Sequence, residues 1–445
     1  MLFTPDGLIG KLAHQHISTS AHRMIRIFLI LLIGASALRA QESAFTLEQA
    51  YQLARTNYPT AQQIPLLDEA NRLQINNLNK NYLPALELNA QATWQTDVTE
   101  LPINIPIPGF EVPQQHKDQY KATLDLRQTI WDGGITARSK DIQNASTQVE
   151  KQRTEVELYN VQSRVNQFYF NVLLSDEQLR LNDILQSNLQ ARIKKAQAAV
   201  ANGTSTKANL NSLQAELLNA ESQAIEIKAN RRTAIQSLEL LLKTDIAETA
   251  TFTKSVEQAT LNKEITRPEL VLYQYQNQLL AAQSDLIPAR SMPKFSAFVT
   301  GGYGRPGLNF LDNEFTPYAL LGASVKWSFS ELYNGKSNND RQLLTIQQQQ
   351  VDLQKQTFLL NTNTQLRQLN NDIEKLQALL QKDQQQITLR ESIRQTAEAQ
   401  LDNGIITSAD YLVELNAENQ AKLNLTVHEL QLELTKANYK ITSGQ

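Results

Sequence analysis

Two intervals recur in this chain, and they constrain its fold more than any single motif. Pro59 and Pro84 are 25 residues apart, as are Pro268 and Pro293; Gly134 and Gly203 are 69 apart, as are Gly335 and Gly404. Ala201-Asn202-Gly203-Thr204 answers Asp402-Asn403-Gly404-Ile405. Only the stretch between differs, 50 residues from Pro84 to Gly134 against 42 from Pro293 to Gly335. Equal blocks around one unequal block are what two copies of a unit give when a surface loop drifts. The 445 residues could hold two or three ordinary domains. The repeats instead predict one duplicated domain over 41–445, with repeat one at 41–250 and repeat two at 251–445.

Each unit reads as helix, hairpin, long helix, turn, helix. Thr46-Leu-Glu-Gln49 is a capping box ahead of Ala50, Leu53 and Ala54. Pro59 and Pro65 are expected to interrupt that helix, which resumes through Leu78. The period then switches to two. Leu86, Leu88, Ala90, Ala92 and Trp94 alternate with Glu87, Asn89, Gln91, Thr93 and Gln95. Ala122, Leu124 and Leu126 alternate with Thr123, Asp125 and Arg127, across a loop, 101–113, that holds four Pro. In the second unit Phe295, Ala297, Val299 and Tyr303 alternate with Lys294, Ser296 and Thr300. Ala319, Leu321, Ala323, Val325, Trp327 and Phe329 alternate with Ser324, Lys326, Ser328 and Ser330. After each hairpin the spacing returns to threes and fours: Leu158, Val161, Val165, Phe168, Val172, and Leu366, Leu369, Ile373, Leu376, Leu380. That is the seam of a coiled coil. A helix filling most of a 69-residue interval is about 100 Å long at ~1.5 Å per residue.

The start of the chain reads as a targeting segment. Met24-Ile-Arg26 precedes the apolar run 27–33, and Gly34-Ala-Ser-Ala37 and Leu38-Arg-Ala40 supply small residues for cleavage after Ala37 or Ala40. Residues 1–23 then lie upstream of the true start at Met24, and the exported chain begins near Gln41. Removing 1–40 takes away four bases and one acid, which moves the net charge from −3 to −6. That balance disfavours nucleic acid as a partner. No later stretch is apolar and long enough for a transmembrane helix, so any insertion must use strands. The chain has no Cys and five His, three of them (His14, His16, His22) in the leader. Thiol catalysis and cysteine-ligated metal are excluded, and no paired acids or nucleophile–His set supports a secreted hydrolase. The chain is read as no enzyme, with no cofactor and no metal.

Two hairpins give four strands of about the length a tilted strand needs to cross hydrocarbon. Four strands in lipid leave unpaired edges, and a closed transmembrane barrel takes at least about eight. If these strands span a membrane, several chains must pool them, with polar faces lining a water-filled lumen.

Several motifs resemble the outer membrane efflux protein family, the TolC-like channels. Phe45-Thr-Leu-Glu-Gln-Ala-Tyr-Gln-Leu-Ala54 with Asn57-Tyr-Pro59 resembles the N-terminal helix signature. Leu124-Asp-Leu-Arg-Gln-Thr-Ile-Trp-Asp-Gly-Gly134 resembles the strand-to-helix exit, and Arg267-Pro-Glu-Leu270 the opening of the second repeat. Asn202-Gly-Thr-Ser-Thr206 and Gly404-Ile-Ile-Thr-Ser-Ala-Asp-Tyr-Leu412 resemble the two helix–helix turns. The resemblance covers essentially all of 41–445. It implies a mainly α fold with a small β part: a homotrimer whose strands form one outer-membrane β-barrel, continued by an α-helical barrel across the periplasm. It further implies an outer membrane channel of a tripartite efflux or type I secretion system. The periplasmic tip would open on docking of an adaptor and an inner-membrane pump of the RND, ABC or MFS type. The implied gate residues are Gly404, Thr407 and Asp410 in the second repeat and Gly203 and Asn209 in the first; the implied exit residues are Gly133, Gly134 and Gly335. Three copies of Asp410 would make a cation-favouring ring; an acid at a helix start is an equally good account. Many family members carry a second acid where this chain has Val413, and Asn209 stands where an acid or polar residue sits. The absence of Cys removes a lipid anchor, leaving the barrel alone to hold the protein in outer membrane lipid.

The competing reading is a soluble periplasmic coiled-coil adaptor or scaffold. An adaptor should carry a compact β-rich domain between its helical arms; this chain shows only two spanning-length hairpins. Trp94, Trp131 and Trp327 fit either an interfacial girdle or core packing. Gln347–Gln350 and Gln384–Gln386 read as solvated helix faces or a polar lumen lining. Gly301-Gly-Tyr-Gly304 lacks the Lys-Ser/Thr of a phosphate loop and reads as a close-packed strand. His116 and His428 have no ligand cluster around them.

Overall fold

The computed structural model describes residues 44–99, 115–254, 264–310 and 312–445. The predicted leader, 1–40, and the Pro-rich loop, 101–113, lie outside the described residues. The first unit runs α1 (Leu47–Asn57), α2 (Gln63–Asn79), β1 (Ala85–Trp94), β2 (Asp118–Trp131), α3 (Ile135–Ala201) and α4 (Lys207–Leu242). The second runs α5 (Pro268–Arg290), β3 (Lys294–Arg305), β4 (Thr316–Lys326), α6 (Ser330–Tyr333), α7 (Lys336–Asp402) and α8 (Ser408–Ser443).

The recurring intervals become equal helices. α3 and α7 are each 67 residues long, and α4 and α8 are each 36. All four boundaries of the second pair fall 201 residues after those of the first. The start of α1 is the expected capping box: the Thr46 hydroxyl accepts from the Gln49 amide at 3.2 Å, and the Gln49 side chain accepts from the Thr46 amide at 3.0 Å. Pro65 does not interrupt its helix. It sits in the first turn of α2, where a missing N–H costs nothing, and Tyr58-Pro59 alone makes the break.

The four strands form one antiparallel sheet in the order β1-β2-β3-β4. The register places Leu86 opposite Leu126, Leu88 opposite Leu124, Leu126 opposite Val299 and Val299 opposite Leu321. One side of the sheet is thus an apolar row, and its members are exposed: Leu88 at 76% and Leu321 at 78%. A shift in register between Thr129 and Trp131 turns Trp131 onto this apolar side, opposite Phe295. β4 stops at Lys326, so Trp327 and Phe329, expected as strand residues, continue beyond it and Ser330 opens α6. The polar side is less uniform than the alternation predicts: Phe298, Leu320 and Tyr318 lie on it, with the Tyr318 ring across Gly302 and the Phe298 ring across Gly322.

The helices beneath the sheet follow the same order as the strands. α2 packs on α3, α3 on α5, and α5 on α7, so α2 and α7 are the outer members of the row. Further from the sheet, α3 pairs with α4, α7 with α8, and α8 bridges to α3. The predicted seam residues Leu158, Val161, Val165 and Val172 are buried, as are Leu366, Ile373 and Leu376. The largest apolar core lies midway, where α1, α3, α4 and α8 meet around Val165, Tyr169, Leu173, Leu238 and Leu242. Among the described residues no helix is long and apolar enough to cross a membrane.

Candidate functional site: the helix–helix turns and the strand-to-helix exits

The far ends of the long helices are built alike. α3 closes on Asn202 and Gly203, α7 on Asn403 and Gly404; the two glycines have φ of 74° and 71°, the left-handed conformation that reverses the chain. Open space surrounds both, so the conformation alone calls for glycine. Thr206 caps α4 by accepting from the Asn209 amide at 3.3 Å. Thr407 caps α8 by accepting from the Asp410 amide at 3.2 Å, and Asp410 Oδ2 accepts in return from the Thr407 amide at 3.0 Å and hydroxyl at 2.7 Å.

Asp410 and Asn209, equivalent in the two repeats, therefore do different work. The hydrogen bonds from Thr407 hold the Asp410 carboxyl below its ordinary value, so it is ionised at neutral pH. This is the helix-start account of Asp410. Asn209 Oδ1 accepts from the Ser408 amide at 3.3 Å and so ties the first turn to the second, while its amide group reaches Ser205. Val413 is exposed. Asp410 and Glu414 border a groove with Ile393, Ala397, Gln400 and Ile406 from α7 and its turn.

Above the turns the helices are cross-linked by charge, which the sequence reading did not find. Arg192 of α3 is buried, pairs with Asp402 at 2.7 Å and with Glu398, both of α7, and lies 5.2 Å from the centre of the Tyr411 ring of α8. One side chain thus joins three helices. Arg394 of α7 pairs with Glu418 of α8 at 2.7 Å, and Lys422 bridges Glu418 and Glu391 at 2.6 and 3.0 Å. Burial raises the pKa of Glu418, but the hydrogen bonds from Lys422 and Arg394 outweigh it and keep the carboxyl low. Lys422 and Glu418 are four apart on α8, but spacing could not reveal the pairs that cross between helices, which join residues 24 to 210 positions apart. His428 pairs with Asp383 at 2.6 Å rather than standing alone. Among the described residues no group of acids and histidines could hold a metal ion.

The exits from sheet to helix differ more. At the first, Asp132 accepts from the Gly134 amide at 3.0 Å, the Thr136 amide at 2.7 Å and the Tyr82 hydroxyl at 2.8 Å. Gly133 packs so tightly that a Cβ there would lie 2.8 Å from that of Met292. At the second, Gly335 caps α7 in open space, and Asn334 Oδ1 accepts from the Lys336 amide at 3.0 Å. Gly134 holds the matching position before α3.

Such a hairpin-and-long-helix subunit is the fold of the TolC-like outer membrane channels. The structure is similar to that of CusC, 14% identical with a TM-score of 0.65, over 89% of this chain and 91% of that one. It is similar also to the outer membrane protein VceC of Vibrio cholerae, 13% identical with a TM-score of 0.63, over 89% and 96%. The outer membrane channel CmeC of Campylobacter jejuni is 14% identical with a TM-score of 0.61, over 89% and 85%. Residues 50–243, from α1 to the end of α4, match the family model described as outer membrane efflux protein. No curated protein sequence matches the chain. The resemblance read from the motifs therefore holds, by sequence through the first repeat and by fold through nine-tenths of the chain. What the chain shares with the outer membrane efflux proteins is thus a sequence match over 50–243 and the fold of the outer membrane channels.

Proposed function

We propose that this chain is one third of a homotrimeric export duct: four strands of a twelve-stranded barrel and one sector of a helical tunnel, with no catalytic role. The observation that carries this is the matched order of strands and helices. β1 and α2 end the row on one side, β4 and α7 on the other, and among the described residues both sides end unpartnered. Leu66 and Leu73 stand exposed on α2, seven apart; Ile346, Leu353 and Leu360 stand exposed on α7 at the same spacing. Counted from the sheet at ~1.5 Å per residue, Leu73 and Ile346 lie at about the same depth, and so do Leu66 and Leu353. Pairing α2 of one copy with α7 of the next closes the tunnel as β1 and β4 close the barrel.

The lipid boundary is supported by two aromatic clusters. Tyr120, Tyr303 and Phe315 gather at one end of the sheet, Trp131, Phe295, Trp327 and Phe329 at the other. Their separation, eleven residues along β2, is about 36 Å at ~3.3 Å each, or ~28 Å for a strand tilted by about 40°. All three Trp are exposed, which favours the girdle over core packing.

The turns at Gly203 and Gly404 form the periplasmic tip, with Asp410 ringed three times and Arg192 holding the closed arrangement. A periplasmic adaptor and an inner-membrane pump dock there and dilate it, in an efflux or type I secretion assembly. The domain reads as 41–445 in two repeats, 41–250 and 251–445, behind a removable leader. The test uses the natural absence of Cys. Leu73→Cys with Ile346→Cys in the full chain should give oxidant-dependent trimers in outer-membrane fractions, and neither single variant should. Recovery as an uncross-linked species in soluble periplasm would support the scaffold reading instead.

A further inference from the structure

The polar side of the sheet has a charge of its own. It carries Lys121, Arg127, Lys294 and Lys326 against Glu87 and Asp125, an excess of two bases in a chain whose net charge is −3. Both acids lie together: Glu87 stands opposite Asp125, whose carboxylate accepts from Thr300, Asn89 and Thr123. Lys121 lies over the Tyr318 ring. Toward the helices only bases remain. Arg127 is in register with Phe298; four residues further along β3, Lys294 stands directly opposite Lys326.

Like charges directly opposed on neighbouring strands repel. Among the described residues, the side chains of Arg127, Lys294 and Lys326 have no ion-pair or hydrogen-bond partner to relieve this. The lysines stand on the side of the sheet away from the exposed apolar row. Their side of the sheet is that of Ser296 and Ser324, and the opposite side at this height carries Phe295, Val325 and Trp131. The three bases lie within about 13 Å along the strand direction.

We propose that Arg127, Lys294 and Lys326 form a cationic collar at the periplasmic end of the barrel lumen that binds multivalent anions, the chemistry of polyphosphorylated or polysulfated solutes. It rests on the reading that the polar side lines the lumen of a trimer, where the collar carries nine positive charges. Rings of Lys and Arg replace part of the hydration of an anion in a pore, and multivalency multiplies the attraction. The collar is reached from outside the cell without passing the tip.

The test records the full chain in planar bilayers with inositol hexakisphosphate added on the extracellular side. Wild type should show voltage-dependent block. K294Q/K326Q should raise the half-blocking concentration by about tenfold or more, and Arg127→Gln, a second variant at a separate strand position, should shift it the same way. Lys326→Cys, the only thiol in its chain, is treated in parallel with a water-soluble charged thiol reagent. If the reagent leaves conductance unchanged, the polar side does not face the lumen, and the collar falls together with the barrel reading. If it changes conductance while the polyanion blocks wild type and the lysine and arginine variants equally, the collar alone is overturned.

Discussion

Asp410 serves α8 before it serves any ring. Its carboxylate closes a capping box with Thr407, and that contact depresses its pKa below the ordinary 3.8. A depressed acid contributes fully above its unfolded value and loses its contribution as pH falls through the lowered folded one. Tip order followed by amide exchange at Ser408 to Leu412 should thus stay constant from pH 7 to about 4 and fall only in stronger acid. At neutral pH the ring would be fully ionised, so Asp410→Asn should lower cation preference, read as a reversal potential in a KCl gradient. An unchanged potential would leave Asp410 as a cap alone. Arg192 is the opposite case, a buried charge whose partners are half exposed. Arg192→Ala removes the one cation that Glu398 and Asp402 share, leaving Glu398 to Arg394 and Asp402 to Lys195; we expect a loss of about 1–3 kcal/mol in the tip and larger single-channel conductance at neutral pH. Conductance identical to wild type would remove Arg192 from the closed state.

At the scale of elements, the helices and hairpins were legible because each obeys one period over many residues. The capping box at Thr46, the turns at Gly203 and Gly404 and the apolar strand faces all follow from local pattern. What was not legible arises between distant segments. The register shift that turns Trp131 outward exists only once β2 meets β3. Phe298 and Tyr318 can lie on the polar side because glycines stand opposite them, a pairing invisible before the register is known. The Asn209–Ser408 tie and the Arg192 cluster likewise join the two repeats. The exits offer a direct comparison. Gly133→Ala combines a φ of 78° with a clash against Met292 and should cost about 2–4 kcal/mol. Gly335→Ala meets only a φ of 72° in open space and should cost about 1 kcal/mol. Thermal unfolding in detergent measures both; equal losses would contradict the close packing at the first exit. Thr206→Ala and Thr407→Ala should each cost about 1 kcal/mol.

For the whole molecule, modest hydrophobicity is no sign of a soluble protein. The exposed apolar row of the sheet is one side of four short strands, and alternation dilutes it in composition. Outer-membrane fractions should retain the protein through high-salt washing and release it to detergent. Release by salt alone would place it on the membrane rather than in it. The equal lengths of α3 and α7, and of α4 and α8, carry a further consequence. Every position in the first long helix has a counterpart at the same height 201 residues later, so in the proposed duct the subunit is a matched pair of gauges for one gap. Taking a heptad from a single gauge would tilt the tip and misalign the Asn209–Ser408 tie. Taking level heptads from both gauges, and from their return helices, would shorten the duct by about 10 Å with both turns still side by side. Export by the matched deletion should then recover in cells whose periplasm is narrowed to suit, whereas the one-sided deletion should fail in both.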